Sequence, residues 1–120
     1  MDDVLAMADR FFRAVETGDL ETVRSLYTED VVVWHNDDLV EQTADQNLRV
    51  LRWMAKNVQN LRYEEVRRHV TATGFVQQHV VRGIWPTGAA LELHACIVFT
   101  VRDGRITRLE EYLDPAHLPT

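Results

Sequence analysis

Apolar residues in the first part of the chain recur every three to four positions. Val4, Ala8, Phe11, Phe12 and Val15 follow Asp2 and Asp3, two residues suited to cap a helix, and Gly18 supplies the left-handed residue that closes one. The spacing predicts a helix over about residues 3–17. Asp19 is placed to cap a shorter second helix striped by Leu20, Val23, Leu26 and Tyr27, before Thr28-Glu29-Asp30 breaks the period. Val31 to Trp34 is β-branched and aromatic, a short strand ended by the turn-forming run His35-Asn36-Asp37-Asp38. A third helix is expected over about residues 40–58, with Leu48, Leu51, Ala55 and Val58 on one face and Val50, Trp53 and Met54 widening it.

Beyond Asn60 the helical period stops. Four strands are expected over about residues 61–73, 75–85, 90–101 and 105–113, punctuated by Gly74, Pro86-Thr87-Gly88 and Asp103-Gly104. Asp103-Gly104 is the strongest hairpin signal. The pattern gives an α+β class, three N-terminal helices on a curved antiparallel sheet. No repeat, low-complexity run or linker interrupts it, so residues 1–120 are expected to form one domain with a short frayed tail from Asp114-Pro115 to Thr120.

Strand alternation sorts the side chains by face. Leu91, Leu93, Ala95, Ile97, Phe99 and Val101 share the inward side of the third long strand, and Leu109, Glu111 and Leu113 share that of the last. Glu111 is therefore an acid between two leucines. On the second long strand Val76, Gln78, Val80 and Ile84 form one face, but Phe75, His79, Val81 and Trp85 make the other nearly as apolar. A sheet apolar on both sides needs two covers, and the helices supply one; the outer face is a candidate homodimer interface.

Composition narrows the partners. With 19 acidic against 13 basic residues the net charge is -6 and the basic residues do not cluster, which argues against nucleic acid. A single cysteine, Cys96, excludes an internal disulfide, and no basic leader or long apolar run suggests secretion or a membrane, so a soluble cytoplasmic protein is expected. His94 and Cys96 share one strand face and His69 and His79 stand on other strands, but no metal-binding pattern, Gly-rich phosphate loop or nucleophile elbow is present.

The candidate chemistry centres on Glu111. Desolvation disfavours the charge of a carboxylate in an apolar cavity, the condition for a general base or acid near neutral pH. The alternative is a surface carboxylate, or one paired with Arg82 or Arg108. Trp34, His35 and Asn36 arrive at one strand end, where Trp34 and Asn36 share a face suited to hold water or a carbonyl, with His35 opposite as a possible shuttle. Core packing and turn capping explain Trp34 and Asn36 equally well. Gln78 can orient a substrate, with Val80, Leu93, Ala95 and Leu113 lining the pocket.

The runs Phe11-Phe12-Arg13-Ala14-Val15-Glu16-Thr17-Gly18-Asp19, Tyr27-Thr28-Glu29-Asp30-Val31 and Asp103-Gly104-Arg105-Ile106 resemble the nuclear transport factor 2-like superfamily, and its SnoaL-like branch in particular. The resemblance covers nearly the whole chain. It implies a cone-shaped α+β roll, usually dimeric, with a pocket between bent sheet and helices. Glu41-Gln42-Thr43 and Pro86-Thr87-Gly88 look similar to limonene-1,2-epoxide hydrolase. In that likeness Trp34 and Asn36 fall at the water-holding tyrosine and asparagine and Glu111 at the base aspartate, whereas Gln78 and Val80 replace the arginine and second aspartate. The proton-shuttling aspartate of ketosteroid isomerases falls near His35 or Asn36. The expected activity is proton abstraction or transfer on a small, mostly apolar or polycyclic molecule, an isomerase, cyclase or lyase reaction with Glu111 as base and no cofactor. A water-adding hydrolase and a non-catalytic ligand-binding or dimerisation module are the alternatives.

Overall fold

A computed structural model describes residues 2–114 and 116; the tail expected to fray, Pro115 and 117–120, and the side chain of Asp2 lie outside the described residues. The elements are α1 (Asp2–Thr17), α2 (Leu20–Leu26), β1 (Tyr27–His35), β2 (Glu41–Gln42), α3 (Ala44–Asn57), β3 (Gln59–Val70), β4 (Gly74–Ile84), β5 (Ala90–Arg102) and β6 (Arg105–Leu113). Local chemistry sets most boundaries. Gly18 takes a positive φ of 73° after α1, and Asp19 accepts a hydrogen bond from the Thr22 N–H to start α2. Asp103 and Gly104 both adopt positive φ in the β5–β6 hairpin.

Three boundaries differ from the sequence pattern. The first strand is longer than Val31–Trp34, because Tyr27 ends the apolar stripe of α2 in extended backbone. The third helix starts at Ala44 and not near residue 40. Leu39 has a positive φ of 60°, Glu41 and Gln42 pair with Trp34 and Val33 as the short β2, and Thr43 and Gln46 form a reciprocal capping box that fixes the helix start. β3 ends at Val70, ahead of the expected residue 73.

The sheet runs in the order β2-β1-β6-β5-β4-β3. β3 to β6 follow one another as antiparallel hairpins, but β1 pairs with β6 in parallel, so the expectation of an antiparallel sheet fails at this one junction. Register shifts in the β3–β4, β1–β6 and β5–β6 pairings bend the sheet. The helices fill its inner side. Phe11 and Phe12 of α1 meet the Phe99 ring edge-on at 5.4 and 5.7 Å, and Phe99 stacks on Phe75 at 4.2 Å. Gly74 admits this packing, since a Cβ there would collide with the Phe99 carbonyl.

Phe99→Ala empties the centre of this aromatic cluster and is expected to lower unfolding free energy by ~3–5 kcal/mol. Urea denaturation measures it; a loss below 1 kcal/mol would place the core elsewhere.

Candidate active site

Parallel pairing brings His35 of β1 beside Glu111 of β6, and antiparallel pairing sets Ile97 of β5 on the other side of Glu111. The His35 Nε2 lies 3.0 Å from Glu111 Oε1, with side chains 19% and 15% exposed. The pair borders a cavity of about 40 Å³ lined also by Phe11 and Val15 of α1, Tyr27 and Val33 of β1, Asn47 and Leu51 of α3, Tyr63 of β3, Ile97 and Leu109. Besides the pair, the walls are apolar apart from Tyr27, Asn47 and Tyr63, which come from β1, α3 and β3. The Tyr27 hydroxyl donates to Asn47 Oδ1 at 2.7 Å, anchoring α3 to β1.

The electrostatics favour the charged form of His35. Burial pulls the His35 pKa down, but the hydrogen bond to Glu111, its charge and those of Asp37 and Asp38 outweigh burial and leave the imidazole above its ordinary value. Burial raises the phenols of Tyr27 and Tyr63, and the Glu111 charge raises them further. Both phenols are therefore protonated donors at neutral pH.

A second polar chain runs along the opposite flank of β5. Asp9 Oδ1 accepts from Arg68 Nη1 at 2.8 Å, Arg68 Nε donates to Gln77 Oε1 at 2.8 Å, and the Gln77 amide lies 3.0 Å from His79 Nδ1. Gln77 and His79 are buried, and the imidazole meets Phe12 and Tyr63 edge-on. Burial, with a smaller push from Arg68 against the pull of Glu111, takes the His79 pKa down to about 4.

Glu111 and His35 are thus brought together, and Glu111 pairs with neither arginine. Arg82 engages Glu64, Glu65 and Glu92, and Arg108 engages Glu41 and Glu110. Trp34 and Asn36 are not at the cavity. Trp34 points to the outer face and meets Tyr112 edge-on at 5.3 Å. The Asn36 amide exchanges two hydrogen bonds with the Leu113 backbone, at 2.8 and 3.1 Å, and so splices β1 to the end of β6. Gln78 and Val80 also face outward, opposite Cys96 and His94, in a groove of about 700 Å³ that Ala95 and Leu113 border too. Leu93 is buried in the core without lining the cavity. On β1 and β4 the face expected to look inward is off by one residue, which exchanges every side chain. The inward residues are Val33 and His35, and Gln77 and His79. Alternation from Phe75 to Val81 carried that signal for β4, and Asn47 beside Leu48 on the apolar stripe of α3 carried another.

Among the described residues no three His, Cys, Asp or Glu side chains converge to hold a metal, and no helix is long and apolar enough to cross a membrane.

A model of the SnoaL-like domain matches residues 8–109. Comparison with curated proteins gives no match. A provisionally assigned polyketide cyclase from Xanthomonas campestris superposes with a TM-score of 0.84 at 20% identity, over 96% of this chain and 93% of that one. A protein of ketosteroid isomerase-like fold from Catenulispora acidiphila, in complex with trimethylamine, gives 0.82 at 10% identity over 93% and 88%. An LEH-like epoxide hydrolase from M. tuberculosis gives 0.78 at 22% identity over 98% and 82%. At such identities the likeness establishes the fold.

The two histidines give stability opposite pH dependences. Between about pH 4 and 6.5 the unfolded chain binds a proton that folded His79 refuses, so stability falls by about 3 kcal/mol as pH drops through this window. His35, raised in the fold, contributes stability that is full below about pH 6.5 and is lost as pH rises through its folded value. Urea denaturation across pH should show a flatter acid limb in His79→Leu; an unchanged limb would contradict this assignment.

Proposed function

We propose, for a chain that belongs to the family of SnoaL-like domains within the nuclear transport factor 2-like superfamily, that the Glu111 cavity catalyses proton transfer on a small, mostly apolar carbonyl compound. The observation that carries this is the half-buried Glu111–His35 pair on the wall of a mostly apolar cavity. In the proposed step the Glu111 carboxylate takes a proton from the carbon beside the carbonyl. The C–H electron pair moves into the carbon–carbon bond and negative charge gathers on oxygen, near phenols that are protonated at neutral pH. Glu111 then returns the proton at the same or a conjugated carbon, with the His35 imidazolium compensating the carboxylate charge before and after transfer.

The cavity of about 40 Å³ falls far short of the ~300–1,000 Å³ of drug-sized sites, which favours a substrate of few heavy atoms over a polycyclic one. It does exceed the ~10–15 Å³ a water needs. That size supports a second reading, in which Glu111 activates a water as in a hydrolase; oxygen-18 from solvent then enters the product. Exposed Tyr112, which packs against Trp34 on the outer face, favours that face as a homodimer interface.

Proton exchange at the α-carbon of small ketones in deuterium oxide, followed by NMR, tests the main proposal. Glu111→Gln is expected to slow it by ~10²-fold or more with the fold intact by circular dichroism. Exchange unaffected by the substitution would remove Glu111 from the mechanism.

A further inference from the structure

Two phenols border the Glu111 cavity, and their hydroxyls are differently engaged. A phenol has one proton to donate. Tyr27 gives its proton to Asn47 Oδ1 at 2.7 Å, where it braces α3 against β1. The Tyr63 hydroxyl has no hydrogen-bond partner among the described residues. Nor is it sealed in. Among those residues the one sealed side-chain atom without a partner is His79 Nε2, so the Tyr63 hydroxyl keeps accessible surface. The cavity beside Glu111 is the space that Tyr63 lines. A donor that faces so small a space stays short of a partner until a molecule enters.

The rest of Tyr63 is held in place. Its backbone N–H donates to Glu16 Oε2 of α1 at 2.8 Å, and β3 pairs it with Val81 of β4. Its ring meets Phe12 edge-on at 4.8 Å and His79 at 4.7 Å. Glu111 nevertheless raises the phenol more than Glu16 does, which accords with a hydroxyl turned away from the α1 tether and toward the Glu111 carboxylate. A donor fixed in this way is already oriented before charge develops, as electrostatic stabilisation of an oxyanion requires.

We infer that Tyr63 is the catalytic hydrogen-bond donor to the carbonyl oxygen of the molecule bound beside Glu111, whereas Tyr27 holds the cavity wall together. This rests on the reading of the Glu111 cavity as a proton-transfer site. The cavity also bounds the ligand. About 40 Å³, against the ~10–15 Å³ that one water needs, leaves room for about three non-hydrogen atoms. Acetaldehyde is a carbonyl compound of that size with an α-C–H bond. With its oxygen on Tyr63 and its methyl group toward Glu111, the carboxylate takes a methyl proton. The C–H pair becomes the carbon–carbon π bond and the carbonyl π pair moves to oxygen, where the phenol O–H stabilises it and keeps its own proton. Return of a proton from Glu111 to carbon restores the aldehyde.

The test uses the full chain, ¹³C-labelled at the tyrosine Cζ atoms, with acetaldehyde as the probe. Tyr27, Tyr63 and Tyr112 then give one resonance each, sensitive to hydrogen bonding at the attached oxygen. Acetaldehyde should shift the Tyr63 resonance more than that of Tyr27. Exchange of its methyl protons in deuterium oxide should slow by ~10²-fold in kcat in Tyr63→Phe, with KM little changed, and by less in Tyr27→Phe. Stability should divide the other way. The urea midpoint holds or rises in Tyr63→Phe, which loses a hydroxyl without a partner, and falls in Tyr27→Phe, which strands the Asn47 amide. A Tyr63 resonance indifferent to acetaldehyde, a lowered midpoint in Tyr63→Phe, or exchange as fast in Tyr63→Phe as in the wild type would each overturn the inference. If that exchange still slows in Glu111→Gln, the base assignment survives the loss. If instead the Tyr63 resonance and variant behave as expected while Glu111→Gln leaves exchange unaffected, the base assignment fails and Tyr63 stands as the donor.

Discussion

The candidate site depends on the lateral contact of β1 with β6. Every other strand neighbour in the β3–β6 series is reached by a hairpin, but β1 comes from the N-terminal part of the chain and docks in parallel against the last strand. Its register decides whether His35 or a neighbour faces Glu111. The Asn36 amide secures that register by imitating a strand residue against Leu113, while the Asn36 N–H donates to the Glu111 carbonyl at 3.0 Å. The resulting ion pair is a poor device for stability, because removing two charges from water costs about as much as their attraction returns. Removing one partner alone is the expensive change, roughly 3–5 kcal/mol, since it strands the other charge. A pair of this kind makes more sense as a poised acid and base than as a clamp.

Around it the chain builds two polar arms on an apolar floor. On one flank of β5 stand Glu111 and His35; on the other Arg68, Gln77 and His79 form a chain that begins at the exposed carboxylate of Asp9. Burial lowers both histidines, but His35 ends above its ordinary value because it faces the Glu111 carboxylate, whereas burial prevails at His79. Phe12 and Tyr63 pack against His79, and Phe11 touches both Phe12 and Phe99, so the aromatic core and the polar groups share walls.

Much of this is legible in the sequence. Helical stripes, turn residues and the Asp103-Gly104 hairpin delimit the main elements, and period-two alternation correctly turned Glu111 and Ile97 inward on strands with one strongly apolar face. The errors share one cause. On β1 and β4 both faces are rich in apolar residues, so alternation alone does not say which set is inside, and a slip of one residue moved Trp34, Asn36, Gln78 and Val80 into a cavity they do not reach. The parallel β1–β6 contact and the convergence of Tyr27, Asn47 and Tyr63 arise from packing between distant segments, which local pattern does not carry.

The coupling of His35 to Glu111 is measured most directly by following the His35 ring through a pH titration by NMR, in the wild type and in Glu111→Gln. The wild-type ring should titrate above 6.5. Without the carboxylate, burial is left opposed only by the charges of Asp37 and Asp38, and the midpoint should fall. A His35 midpoint that is the same in both proteins would contradict the pairing on which the account of the site rests.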